Sequence, residues 1–150
     1  MASSSNAPSL ALRGPAAGRR DAFHLPARRT SVPEARRRVT ALLHAWGTGQ
    51  PVCDDVELVV CELFTNAVRH TASERVGCEL SLHAGHVRIA VTDEGGADAP
   101  APRARPDSVD QECGRGLFLV GALSRSWGTR DGAHGGRTVW AEVAREGAPR

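Results

Sequence analysis

Glu62, Asn66 and His70 recur every fourth position in the stretch Glu62-Leu63-Phe64-Thr65-Asn66-Ala67-Val68-Arg69-His70-Thr71. On an α-helix that spacing places all three in one row on one face. Val56, Val60, Leu63 and Ala67 form the adjacent stripe, so the polar row borders the buried side. Polar groups at the edge of a core need partners there. Asn66 offers an amide oxygen, a hard ligand suited to Mg²⁺. Glu62, one turn earlier, could orient or deprotonate a nucleophile. His70 reads as a structural hydrogen-bonding residue. Alone, the row also fits a helix edge whose polar groups are satisfied by neighbours.

Two further features follow in chain order. Asp93 ends an alternating stretch and runs at once into Glu94-Gly95-Gly96. A carboxylate there can accept a hydrogen bond from an exocyclic amine, and glycines let a flat ring approach the backbone. A turn aspartate before glycine is the plainer reading. Gly114-Arg115-Gly116 then opens an apolar segment through Leu117, Val120 and Leu123. Free N–H groups at a helix start suit phosphate oxygens, and Arg115 adds a cation. A lone G-x-G is equally a loop-to-helix junction.

The elements that must position these groups are legible from periodicity. Residues 1–20, rich in Ser, Ala, Gly, Pro and Arg, read as a flexible tail, and 21–145 as one domain. Ala22–Pro26 is a short strand candidate. Ser31-Val32-Pro33-Glu34 has the form of a capping box, and Ala35, Val39, Leu42, Leu43 and Trp46 continue at helical spacing to a stop at Gly47. Arg36, Arg37 and Arg38 fall mostly on its outer face, as a solvated surface. Thr48–Pro51 reads as a loop, with Asp54 or Asp55 capping a second helix over 54–71. Val76, Cys78, Leu80 and Leu82 alternate with polar or small residues, as do Val87, Ile89 and Val91, giving a hairpin turning at Ala84-Gly85. No periodicity runs from 93 to 113, and loops of that length tend to be functional. A third helix is expected near 116–126. A strand start at Ser126, a turn over 131–136 and a final strand from Thr138 complete the chain.

Composition narrows the chemistry. All 19 basic residues are arginine, which excludes a P-loop lysine, a Schiff-base lysine and the lysine of eukaryotic-type kinases. Residues 1–30 carry five Arg and one Asp, whereas 31–150 carry fourteen Arg and sixteen acids. The folded part therefore lacks the basic excess of a nucleic-acid-binding domain. No apolar run approaches the roughly 18 residues of a membrane helix. The N-terminus has no apolar core of a secretory signal. Cys53, Cys61, Cys78 and Cys113 form no C-x-x-C pair and read as reduced thiols of a cytoplasmic protein. His83 and His86 flank a turn without further metal ligands. Trp127 and Trp140 read as packing residues, and Ser124 and Ser126 have no adjacent His-Asp arrangement.

Together the three features resemble the Bergerat-fold (GHKL) ATP-binding superfamily, which holds gyrase, heat-shock chaperones and histidine kinases. The likeness covers about residues 22–144. Glu62-x-x-x-Asn66-Ala-x-x-His70 is similar to its N-box, and Asp93-x-Gly95-x-Ala97 to its G1 box. Gly114-x-Gly116-Leu117 is similar to its G2 box, and Gly136-x-Thr138 to its last nucleotide motif. Ala97 stands where a third glycine is common. Ser31-x-Pro33-Glu34, the N-box and the closing Gly135-Gly136-Arg137-Thr138-Val139-Trp140-Ala141-Glu142 further resemble the anti-sigma-factor serine kinases.

The resemblance implies roles by position. Asp93 would recognise the adenine amine with support from Thr138, and Gly95 would let the ring approach. Asn66 would hold Mg²⁺, and Glu62 would act as base toward a substrate serine. N–H groups around Gly114, Arg115, Gly116 and Leu117 would bind phosphates. Residues 97–113 would cover the nucleotide, with Arg103 or Arg105 reaching its γ-phosphate. The implied fold is a two-layer α/β (α+β) sandwich whose mixed, mostly antiparallel sheet carries three helices on one face. The implied activity is transfer of the ATP γ-phosphate to a serine of an anti-sigma-factor antagonist, sequestration of a sigma factor, or both, in a possible homodimer. A non-catalytic ATP-binding module that holds a regulatory partner is the alternative.

Overall fold

The computed structural model describes residues 19–70, 74–94, 117–132 and 136–145. The chain runs β1 (Arg19–Pro26), α1 (Ser31–Ala45), α2 (Gln50–His70), β2 (Arg75–Leu82), β3 (His86–Asp93), α3 (Leu117–Leu123), β4 (Ser126–Asp131) and β5 (Arg137–Ala144). The strands form one sheet in the order β1-β2-β3-β5-β4. Every pairing among the described residues is antiparallel. The mostly antiparallel sheet expected from sequence therefore carries no parallel strand within these residues.

Alternation decides which face is covered. Val76, Cys78, Leu80 and Leu82 of β2 are buried, as are Val87, Ile89 and Val91 of β3 and Val139, Ala141 and Val143 of β5. These lie on one side of the pleat. The helices close over that side, α2 packing on β2, β3 and β5 and flanked by α1 and α3. Val39 and Leu43 of α1 and Val56, Val60, Leu63 and Phe64 of α2 fill the space between. The result is the two-layer sandwich, with α2 as the central helix. The opposite face carries Arg88 over the Trp140 ring, 5.3 Å from its centroid, so Trp140 packs on the sheet's outer side. Trp127 packs against the core.

Both long helices start differently from the sequence expectation. The cap of α1 is Thr30, in helical conformation and without a side-chain capping bond. Ser31 is already inside the helix and buried, while Glu34 pairs with Arg37 and Arg38. The capping box is therefore not formed, because its glutamate binds arginines further along the exposed face. Helix α2 begins at Gln50, four residues before the expected start. Cys53 donates its N–H to the Gly49 carbonyl at 3.1 Å, an i to i−4 bond that places Pro51 in the first turn. Proline is pre-organised there because its missing N–H has no helical partner to lose. Asp54 does not cap; it accepts from Gln50 Nε2 at 2.8 Å. At the other end, α3 stops at Leu123, short of 126.

The stop of α1 follows the expected glycine. Gly47 has φ of 76°. Its N–H reaches the His44 carbonyl at 3.1 Å and the Thr48 N–H reaches Leu43 at 2.9 Å, the Schellman pair of bonds. Gly47→Ala is expected to lower stability by about 1–2 kcal/mol, since an L side chain is strained in that region. The midpoint of urea unfolding measures it, with no change expected in nucleotide affinity.

Candidate functional site

Helix α2 carries the polar row from the core to the surface. Glu62 is 2% exposed, set beside the fully buried Leu63 and Phe64. Asn66, one turn on, is half-buried, and His70, the last helical residue, is exposed. A carboxylate at that depth is costly: Glu62 interacts with its surroundings, yet its buried Oε2 accepts no hydrogen bond. The helix thus presents an acid at the bottom, an amide midway and an imidazole at the rim.

Strand β3 delivers Asp93 to the same end. Val87, Ile89, Val91 and Asp93 share the helix-covered side, and Asp93 is 8% exposed. Its ladder partner on β5 is Arg137, and on β2 it is Val76. The charges of Asp93 and Arg137 both reach His70. The end of α2, the end of β3 and the start of β5 therefore converge. Desolvation lowers the His70 pKa most, Arg69 and Arg137 lower it further, and Asp93 opposes them. The imidazole is biased toward its neutral form, as fits a hydrogen-bonding residue at the rim.

Thr138 does not join this group. It pairs with Thr92, the two Oγ1 atoms 2.7 Å apart, so both point to the other side of the sheet from Asp93. Thr138 is buried, and through Thr92 it braces the residue that precedes Asp93. Arg137 occupies the place facing the site instead. The sequence carried a signal for this: Val139, Ala141 and Val143 point inward, so the same period points Arg137 inward and Thr138 outward. Leu117 opens α3 and is 2% exposed, within the core against which α2 packs. Gly95, Ala97, Arg103, Arg105, Gly114, Arg115 and Gly116 lie outside the described residues, as does the rest of the 97–113 segment.

The remaining candidates settle into structural roles. His83 and His86 stack with ring centroids 4.5 Å apart. His86 Nδ1 lies 2.8 Å from an Arg125 guanidinium nitrogen, at the end of the sheet away from Asp93. Burial pushes the Cys78 thiol up to about 12, which leaves it unreactive at neutral pH. No helix among the described residues is long and apolar enough to cross a membrane.

The donor set suits a magnesium nucleotide. Asp93 is a buried carboxylate, able to accept from an amine, and Asn66 carries an amide oxygen one turn from the Glu62 carboxylate. Among the described residues no group of three or more His, Cys, Asp or Glu could hold a metal. An amide oxygen such as that of Asn66 suits an ion that takes few protein ligands and completes its shell with phosphate oxygens and water.

Comparison with known proteins bears on the fold and the family. No match was found among curated proteins. Among solved structures, the chain is similar to that of the RsbU and RsbW domains of Rv1364c from Mycobacterium tuberculosis. The TM-score is 0.63 at 20% identity, over 86% of this chain and 33% of that one. The chain thus spans about a third of the length of that solved chain, and at this identity the likeness establishes the fold. Residues 25–143 match the histidine kinase-like ATPase domain, a stretch holding the α2 row, Asp93 and Arg137. With most of its length inside that match, the chain belongs to the histidine kinase-like ATPase domain family.

Proposed function

We propose that this protein is an ATP-dependent serine/threonine protein kinase of the anti-sigma-factor type. It would move the γ-phosphate of ATP to a serine of an anti-sigma-factor antagonist, sequester a sigma factor, or both. The observation that carries this is the buried Glu62 one turn below Asn66, on the helix whose last residue lies within reach of Asp93 and Arg137. One helix thus links a base-seeking position to a nucleotide-recognition end.

In this reading Asp93 accepts from the adenine amine. Thr138 braces the strand behind Asp93 through its hydroxyl contact with Thr92. Backbone N–H groups around Gly114, Arg115, Gly116 and Leu117 receive the phosphates, Gly95 admits the ring, and Arg103 or Arg105 reaches the γ-phosphate. Asn66 would hold Mg²⁺, which when bound offsets phosphate charge. Transfer is in line: the serine Oγ–phosphorus bond forms, the bond to the bridging β–γ oxygen breaks, and ADP leaves. Glu62 takes the serine proton. Catalysis of this kind is mostly positioning and charge stabilisation.

The test is transfer from γ-labelled ATP to the serine of a purified antagonist, alongside nucleotide binding. Asn66→Ala is expected to lower transfer by about a hundredfold, of the order seen when one stabilising group of a preorganised site is removed. Its effect on binding is expected to appear only when magnesium is present. Nucleotide binding with no transfer to a demonstrated partner would make the protein a binding module. Absence of ATP binding would end the kinase reading altogether.

A further inference from the structure

Arg125 ties three elements together just beyond the end of α3. Its backbone N–H donates to the Glu142 carbonyl of β5 at 2.8 Å, and its Nε lies 3.5 Å from Glu142 Oε1. Its Nη2 donates to His86 Nδ1 at 2.8 Å, at the start of β3. The triangle closes where His86 Nε2 lies 3.7 Å from Glu142 Oε2. The His86 side chain is 16% exposed, so little water reaches the ring. A guanidinium only donates, so Nδ1 must accept and the single ring proton belongs on Nε2, facing Glu142. A doubly protonated ring has no lone pair left for Arg125. The surroundings weigh on that second proton. His83 stacks on His86 from the turn before β3, and Ser81 Oγ of β2 lies 3.0 Å from His83 Nε2. Arg145, after β5, donates to the His83 carbonyl at 2.7 Å. Burial lowers the His86 pKa most, Glu142 opposes it, and Arg125, His83 and Arg88 lower it further.

We propose that His86 is a proton-operated latch on the α3–β4 junction: neutral, it holds Arg125 against the β2–β3 turn, and its protonation releases that arginine and loosens the end of α3. The latch sits at the end of the sheet away from Asp93 and does not depend on what binds there. The direction of its pH dependence follows from the lowered pKa. The stability it supplies is complete above the ordinary histidine value of about 6.5, where folded and unfolded chains are both neutral. It is lost as pH falls from there through the lower folded value, because the unfolded chain takes the proton first. Two backbone N–H groups report on the junction: that of Arg125, bonded to Glu142, and that of Ser124, bonded to the Val120 carbonyl at 3.0 Å.

Long-range proton–nitrogen NMR on the full chain reads the ring directly. Well above the ordinary pKa, His86 is expected to carry its proton on Nε2, and its titration midpoint is expected below about 6.5. Hydrogen exchange then reads the junction. Expressed as protection, so that the intrinsic pH dependence cancels, the Arg125 and Ser124 amides are expected to lose about tenfold on passing below that midpoint, the order of one hydrogen bond from a charged donor. The Val91 amide, in the central strand, is expected to hold. Arg125→Met, which keeps an apolar stem and removes the cation, is expected to raise the His86 midpoint, since Glu142 then acts with less opposition. A proton on Nδ1, unaltered protection across the titration, or an equal loss at Val91 overturns the latch. So does a midpoint that fails to rise in folded Arg125→Met; should that variant not fold, the wild-type tautomer and exchange decide.

Discussion

Glu62→Gln is expected to lower phosphate transfer by roughly 10²–10⁴-fold while leaving ATP affinity within about twofold of wild type, the loss typical of removing a positioned general base. The separation follows from depth. Glu62 lies two turns of α2 below His70, apart from the proposed adenine end at Asp93. Glutamine matches glutamate in volume, so the packing around Leu63 and Phe64 is kept and the proton acceptor is lost. Single-turnover transfer with a saturating antagonist isolates the step. A Glu62 that served only to support the helix would give the reverse result: a shifted unfolding midpoint with transfer intact. Glu62→Asp refines the role. It keeps the charge and withdraws it by one methylene, so a base that must touch the serine loses most of its rate, whereas a group that orients through water retains much of it.

The places of the α2 row and of Asp93 in the fold were legible in the sequence because they follow simple periods. The four-residue spacing of Glu62, Asn66 and His70 could mean one helix face only, and α2 carries them so. Alternation in 87–91 fixed the side of the sheet to which Asp93 belongs. What escaped depended on competition between local signals and tertiary ones. Pro51 looked like the end of a loop, yet in a first helical turn it is favoured, and the helix begins at Gln50. Glu34 stood at the right distance from Ser31 for a capping box, but Arg37 and Arg38 took its oxygens. Thr138 drew attention through a motif, while the two-residue period of its strand assigned the inward position to Arg137. A strand's alternation is set by backbone geometry and outranks the appeal of a residue type.

The largest stability effect is expected at Phe64. Phe64→Ala should destabilise the domain by about 3–5 kcal/mol, the range for emptying a large aromatic from a packed core. Phe64 is fully buried among Val60, Leu63 and the sheet residues of the same cluster. It sits in the middle of α2, which touches both other helices and three of the five strands, so no single neighbour can move in to fill the space without disturbing another layer. A small domain has about 5–15 kcal/mol in all, so this one change removes a large share. Phe64 lies between Glu62 and Asn66 in sequence but on a different side of the helix. Its loss should therefore show first as a lowered midpoint in chemical unfolding. Saturating ATP should then recover part of the midpoint, because a ligand that binds only the folded state adds stability with its concentration. Phe64→Leu separates cavity from chemistry: it leaves a smaller void, and its cost should fall below that of alanine. Equal costs for the two would mean that the aromatic ring itself, and not the filled volume, holds α2 on the sheet.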